Sequence, residues 1–87
     1  MLDLSETDIG DKGMEFLSEC NFKLLSRFYL HSTLIGKQGI KYLARCDFNL
    51  LELLSLEMTK IAEDEKIEIK KRLIILFPKL ASGAFYI

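Results

Sequence analysis

The sequence predicts an α/β fold, in which a parallel sheet forms one side of a short solenoid and helices form the other. Three observations support this prediction. Apolar residues recur at a spacing of 26, first at Leu2, Phe28 and Leu54. Within each unit, apolar residues alternate with period two and then follow at spacings of four, which indicates a strand and then a helix. Stacking such units places successive strands side by side and parallel.

The 26-residue repeat extends well beyond the strand positions. So many matches at one spacing in 87 residues indicate a repeated structural unit. We therefore predict a single domain over residues 1–87, with units at about 1–24, 25–50 and 51–79 and a partial unit at 80–87. The same spacing links Thr7, Thr33 and Thr59; Ile9, Ile35 and Ile61; Gly10 and Gly36; Gly13 and Gly39; Leu17 and Leu43; Cys20 and Cys46; and Phe22 and Phe48.

The first element of each unit is a Leu-x-Leu segment, which we predict to be a short strand with both apolar side chains facing the core. In this register Leu4, Leu30 and Leu56 should be buried, whereas Tyr29 should be exposed on the opposite face. A threonine follows each strand, where its hydroxyl can bond to a backbone group.

The second element is a helix, indicated by the spacing of Ile9, Gly13 and Leu17. Gly13 and its repeat equivalent Gly39 should let the helix approach the sheet closely, because they carry no side chain.

The third helix should be longer than the other two, because three residues are added within the charged stretch 63–72. Ile69, Leu73 and Leu76 should form its inner face, and Pro78 should end it. Its acidic first turn and its later basic residues suit the helix dipole, and Glu68 and Arg72 form an i,i+4 pair.

Unit two spells the repeat most fully, with Leu25, Phe28, Leu30, Thr33, Ile35, Gly36, Gly39 and Leu43. This pattern resembles the leucine-rich repeat family, and within it the ribonuclease-inhibitor-like or GALA subtype, over nearly the whole chain. The sequence departs from that family's pattern at the threonines, where Asn or Cys is more usual, and at Glu65, where a glycine would stand. The resemblance implies a parallel sheet on a concave side, helices on a convex side, and partners that bind the exposed strand positions.

The concave strand positions form the candidate partner-binding surface. Arginine and tyrosine are enriched in interface hot spots, and apolar residues at exposed positions also mark contact surfaces. Clustered lysine and arginine, which a nucleic-acid groove needs, are missing from this set. The candidate residues are Asp3, Ser5, Arg27, Tyr29, His31, Leu53, Ser55, Glu57, Met58 and Tyr86.

Two groups of residues are candidates for a chemical site. Ser5, His31 and Glu57 occupy equivalent repeat positions and should form a row, but nothing in the sequence indicates an oxyanion hole or a substrate pocket. Cys20 and Cys46 should be neighbouring buried structural thiols rather than a redox pair or metal ligands. We therefore expect no catalytic activity, no cofactor and no metal.

Charge and hydropathy narrow the functional classes. Twelve basic and 13 acidic side chains leave a formal charge of −1, which disfavours a nucleic-acid partner. The longest apolar run covers only residues 73–77, far short of the roughly 20 residues that span a bilayer. Without a basic, apolar export signal at residues 1–10, a cytoplasmic or nuclear location is the expectation.

The function that these observations predict is that of a non-catalytic protein–protein interaction module. Two alternatives stay open: a structural subunit or fragment of a longer repeat array, and a substrate-recognition adaptor of a ubiquitin-ligase-type complex, although no recruiting segment is visible. Neither terminal strand carries a polar cap, so self-association through these strands is a further expectation.

Overall fold

Four short strands lie side by side in the order in which they occur along the chain, and all three neighbouring pairs are parallel. A computed structural model describes residues 1–87. The strands are β1 (Leu2–Asp3), β2 (Arg27–Tyr29), β3 (Leu53–Ser55) and β4 (Ala84–Tyr86), and the helices are α1 (Asp11–Leu17), α2 (Lys37–Leu43) and α3 (Lys66–Leu76). This arrangement confirms the predicted α/β class and the parallel sheet.

The strand register follows the sequence repeat. Leu2 lies opposite Phe28, Phe28 lies opposite Leu54, and Leu54 lies opposite Phe85. The first two steps are therefore 26 residues each, whereas the last is 31. The third unit is longer because α3 has 11 residues where α1 and α2 have seven, and because a 3-10 turn at Pro78–Leu80 precedes β4.

The core lies beneath the sheet and contains 17 buried apolar residues. Leu30 and Leu56 are fully buried, as predicted. The prediction was wrong for Leu4, which is only half-buried, because β1 is an edge strand and has a neighbour on one side only. It was also wrong for Tyr29, which is half-buried rather than exposed because β1 and β3 flank it on both sides.

Phenylalanines at equivalent positions join the units inside the core. Phe22 and Phe48 stack with ring centroids 5.6 Å apart, and Phe77 meets Phe48 edge-on at 5.1 Å. Phe28 contacts both Phe22 and Phe48, at 6.0 and 5.8 Å. Offset and edge-on pairs at these distances are favourable, so this column of rings holds neighbouring units together.

The three strand exits share one turn geometry. The hydroxyls of Thr7, Thr33 and Thr59 donate to the backbone carbonyls three residues earlier, at 2.6, 2.8 and 3.0 Å, as predicted. The residue just before each threonine has a positive φ of 55–58°, a conformation that L-residues rarely adopt. These left-handed residues are Glu6, Ser32 and Met58.

The recurring glycines allow close contact with the preceding loop and the neighbouring helix rather than with the sheet, which corrects the prediction. A Cβ atom at Gly39 would lie 2.6 Å from Asp11 Oδ1 and 2.7 Å from Ile35 Cγ2, and one at Gly13 would clash with Ile9. Asp11 Oδ1 also accepts hydrogen bonds from the Gly36 and Gly39 N–H groups, both at 2.8 Å. An α1 carboxylate therefore binds the first turn of α2.

Helix α3 ends at Leu76, directly before Phe77 and Pro78, as the sequence predicts. Ile69 and Leu73 are buried on its inner face, but Leu76 is exposed, which corrects the prediction. Glu68 and Arg72 form no salt bridge; the ion pairs near α3 are Lys66–Glu63 at 2.9 Å and Lys37–Glu65 at 3.3 Å. None of the helices combines the length and the apolar character needed to cross a membrane.

Candidate interaction surface

The face of the sheet that points away from the core carries two rows of side chains. In the first row, Asp3, Tyr29, Ser55 and Tyr86 lie opposite one another on the four strands. The second row lies just beyond the strand ends and contains Ser5, His31 and Glu57. The parallel pairing brings these rows together because equivalent residues of parallel strands lie at the same level of the sheet.

An open depression of about 290 Å³ lies on this face, over β2, β3 and β4. All the residues around it belong to the set predicted from the sequence. We call it the concave depression, and it is lined by Tyr29, His31, Ser55, Glu57, Met58 and Tyr86.

The remaining predicted residues lie beside the concave depression. Arg27 and Leu53 face each other one step earlier along β2 and β3, and Arg27 is exposed whereas Leu53 is half-buried. Asp3 and Ser5 lie on the β1 side, where Ser5 contacts His31. The structure therefore places all ten predicted residues on one face but gathers only six around the depression.

Ser55 forms the floor of the concave depression and is only 4% exposed, which corrects the prediction of an exposed side chain. It is buried because it is small and lies between Tyr29 and Tyr86 in the same row. Its hydroxyl lies 3.4 Å from His31 Nδ1, so the polar group has a partner although it is buried.

His31 links the two sides of the face. Its Nδ1 atom lies 3.0 Å from the Ser5 hydroxyl and 3.4 Å from that of Ser55. Glu57 is exposed and makes no hydrogen bond with the ring. The predicted row of Ser5, His31 and Glu57 thus forms. Both serine hydroxyls lie near the same ring nitrogen of His31, Nδ1, and no acidic side chain bonds to Nε2. The lack of a catalytic role stays a prediction.

Asp3 supplies a fixed negative charge at the β1 side. The Ser5 backbone N–H donates to Asp3 Oδ1 at 2.9 Å, and this bond lowers the pKa of Asp3. The Ser5 side chain and the nearby His31 lower it further. The carboxylate is favoured because hydrogen bonds to the charged form oppose its protonation.

The rim of the concave depression is apolar and well exposed. Met58 is 78% exposed and Tyr86 is 50% exposed. Met58 stands out because its backbone is left-handed, and its sulfur accepts a hydrogen bond from the Ser32 hydroxyl at 3.8 Å. The sequence predicts the threonine turns but not the left-handed residue inside each of them, because those residues are Glu6, Ser32 and Met58, which share no chemical feature and include no glycine or asparagine.

The two cysteines differ in their surroundings. Cys46 is buried, but Cys20 is exposed, which corrects the prediction of two buried thiols. Burial raises the pKa of the Cys46 thiol to about 11, with a smaller contribution from Cys20. No group of three or more His, Cys, Asp or Glu side chains is placed to hold a metal ion.

A second groove of about 250 Å³ separates α2 from α3 on the helical side. Sequence reasoning did not identify it. Charges of both signs face each other across it, and Lys37 and Glu65 pair at 3.3 Å. Glu65, which stands where the repeat would place a glycine, thus serves as an internal ion-pair partner. This mixed charge makes the groove a weaker candidate than the concave depression.

Comparisons with protein-family models, with curated proteins and with solved structures find no match for this chain.

Proposed function

We propose that this chain is a short solenoid of the leucine-rich repeat type, with its sheet on the concave side. Three features support the proposal: the strands occur in chain order, equivalent repeat residues face one another, and each strand ends in the same threonine turn. A parallel sheet built from repeats leaves its outward row free for a partner.

We further propose that the chain is a non-catalytic module that binds another protein through the concave depression. The observation that supports this most directly is that six predicted residues surround one open depression with an apolar rim. The exposed side chains of Met58 and Tyr86 lie together at this rim, where they can contact a partner's apolar atoms, and tyrosine is enriched in binding hot spots.

The concave depression has the shape and charge to take a lysine or arginine side chain. Tyr29 and Tyr86 lie two strands apart, a separation of about 9.6 Å given the usual strand spacing, and both line the depression together with the small, buried Ser55 between them. Their rings can contact an aliphatic stem and attract a cation. The exposed Glu57 carboxylate at the same depression supplies the opposite charge.

A contact of this size suits a transient partner. Four strands of two or three residues offer a small sheet face, and interfaces burying less than about 1,200 Å² are typical of weak encounters. The partner's basic side chain is best presented on an extended segment or a loop, because the depression is open and shallow.

Selection of random peptides displayed on phage tests this proposal. We expect the peptides enriched on the immobilised chain to share a basic residue flanked by apolar ones. Glu57→Lys should weaken their binding by roughly tenfold or more, because it places like charges together. Glu68→Lys makes the same charge change on exposed α3 and should leave binding unchanged. Lack of enrichment, or equal binding to both variants, would contradict the proposal.

A further inference from the structure

His31 lines the concave depression, but the binding of a basic side chain described above gives it no part. It is the only histidine of the chain, and its half-buried ring lies beside Tyr29 and Ser55. A neutral histidine ring carries one proton, on either Nδ1 or Nε2, and the nitrogen with the proton donates whereas the other accepts. The position of this proton therefore decides what the ring offers to a partner.

Two serine hydroxyls approach the same ring nitrogen of His31. Ser5 Oγ lies 3.0 Å from Nδ1, and Ser55 Oγ lies 3.4 Å from it. Ser55 is buried, and Nδ1 is the only hydrogen-bond partner of its hydroxyl. A buried hydroxyl proton without an acceptor is destabilising, so Ser55 requires Nδ1 to be an acceptor.

The Asp3 carboxylate, which lies within reach of the Ser5 hydroxyl, offers an alternative arrangement. In that arrangement Nδ1–H donates to Ser5 and the Ser5 hydroxyl donates to Asp3, but the Ser55 hydroxyl proton is left without an acceptor. When Nδ1 carries no proton, both serines donate to the ring, and Asp3 keeps the bond from the Ser5 backbone N–H at 2.9 Å. Because only this second arrangement gives every buried polar group a partner, it is favoured, and the neutral ring carries its proton on Nε2.

The Nε2 atom of His31 is open to solvent. Both hydrogen bonds of the ring use Nδ1, so no protein group bonds to Nε2. No buried side-chain nitrogen or oxygen lacks a partner, and the unpartnered Nε2 is therefore not buried. Since the ring lines the concave depression, its Nε2–H group is a donor that a molecule bound there can use.

The charges around His31 favour a neutral acceptor for this donor. The exposed Glu57 carboxylate lines the same depression, and the Asp3 carboxylate lies near the ring on the β1 side. Both carboxylates would repel an anionic group of a partner. A backbone carbonyl oxygen is neutral, and in an extended segment or loop it needs a donor from outside its own segment. The segment that presents the basic side chain carries such carbonyl groups.

We propose that His31 Nε2–H donates a hydrogen bond to a backbone carbonyl oxygen of the partner segment whose basic side chain lies between Tyr29 and Tyr86. This inference rests on the proposed function and adds to it. The tyrosines and Glu57 recognise the basic side chain, whereas His31 recognises the main chain that carries it. His31 is thus a specificity-determining residue, because a basic group without a neighbouring carbonyl gains only part of the binding energy.

Two small probes separate the main-chain contact from the side-chain contact. Nα-acetyl-lysine N-methylamide, a blocked lysine, carries the basic side chain and two carbonyl groups, whereas n-pentylamine carries the charged chain alone. NMR titration of the ¹⁵N-labelled chain gives the Kd of each probe. We expect the blocked lysine to bind roughly two- to tenfold more tightly, which is the effect of one net hydrogen bond. Long-range ¹H–¹⁵N spectra of the imidazole, to which only His31 contributes, should show the proton on Nε2 in the free chain.

Two amide substitutions of His31 provide matched controls. His31→Asn places a polar atom near the position of Nδ1 but lacks a donor at the position of Nε2. His31→Gln places an N–H donor near the position of Nε2. The preference for the blocked lysine over n-pentylamine should vanish in His31→Asn and persist in His31→Gln. Circular dichroism shows whether each variant is folded, and the ring spectra test the unmodified chain without substitution.

Three results would overturn this role of His31: a proton on Nδ1 alone in the free chain, equal binding of both probes to the unmodified chain, or a preference that survives in His31→Asn. Equal binding of both probes at the concave depression would contradict the carbonyl contact and leave the proposed function intact. If neither probe shifts the resonances of the depression, both the carbonyl contact and the binding of a basic side chain are wrong.

Discussion

Leu4 and Leu30 occupy the same repeat position, yet only Leu30 is fully buried. Leu30→Ala should lower the free energy of unfolding by about 2–5 kcal/mol, because it leaves a cavity in the core. Leu4→Ala should lower it by about half as much, since the half-buried side chain contributes less apolar burial. Denaturant unfolding measures both values, and equal losses would contradict the assignment of β1 as an open edge.

The cysteines provide a test of burial that depends on pH. At pH 8 the exposed Cys20 should react readily with a thiol reagent, whereas Cys46 should react much more slowly, because it is buried and its pKa is raised to about 11. Because the pKa of Cys46 is raised, the folded protein keeps this thiol protonated at pH values where the unfolded chain already begins to lose the proton. This contribution to stability is therefore fully present below the ordinary thiol pKa of 9.0, and it is lost as the pH rises towards about 11.

Mass spectrometry of the labelled protein and unfolding curves from pH 8 to 11 measure these two effects. Cys46→Ala should remove the part of the pH dependence that comes from this thiol. Equal labelling of the two cysteines in the folded protein would contradict the burial of Cys46.

At the scale of secondary structure, Asp11 connects α1 to the first turn of α2. Asp11→Ala removes both hydrogen bonds to the Gly36 and Gly39 N–H groups. The free energy of unfolding should fall by about 1–2 kcal/mol, as for the loss of a helix-capping side chain. Asp8→Ala removes an exposed carboxylate of the same loop region and should change it by less than about 0.5 kcal/mol. Urea unfolding of both variants is the measurement, and equal effects would contradict the capping role.

The register of β1, β2 and β3 could be predicted from the sequence because the 26-residue repeat sets it directly. The threonine turns could be predicted for the same reason. The half-buried state of Leu4 and Tyr29 could not, because it depends on how many neighbouring strands each residue has. The 31-residue step to β4 depends on the 3-10 turn at Pro78–Leu80, which the recurrence of apolar residues does not reveal.

The sequence predicts which residues form the candidate site, but it does not predict how exposed each of them is. Strand alternation brings nine of the ten residues, all except Met58, to one face, and this follows from the repeat. The burial of Ser55 follows from the size of its two tyrosine neighbours, and the projection of Met58 follows from a left-handed turn. The first feature arises from contacts between units and the second from a local backbone conformation, and the repeat pattern contains neither.

For the whole molecule, the concave depression and the groove between α2 and α3 are separate surfaces. The depression lies over β2, β3 and β4, on the sheet face that points away from the core. The groove lies between the two helices and is lined by charges of both signs, Glu68 among them. A charge change at Glu68 therefore leaves the concave depression intact, which is why Glu68→Lys is the control for Glu57→Lys.

We propose above that the concave depression binds a partner's basic side chain. Amide chemical-shift mapping by NMR, with a phage-selected peptide added to the ¹⁵N-labelled chain, tests it most directly. We expect the largest shifts at Tyr29, His31, Ser55, Glu57, Met58 and Tyr86, and we expect replacement of the peptide's basic residue with alanine to remove them. Largest shifts along α2 and α3, with the strand residues unchanged, would contradict it.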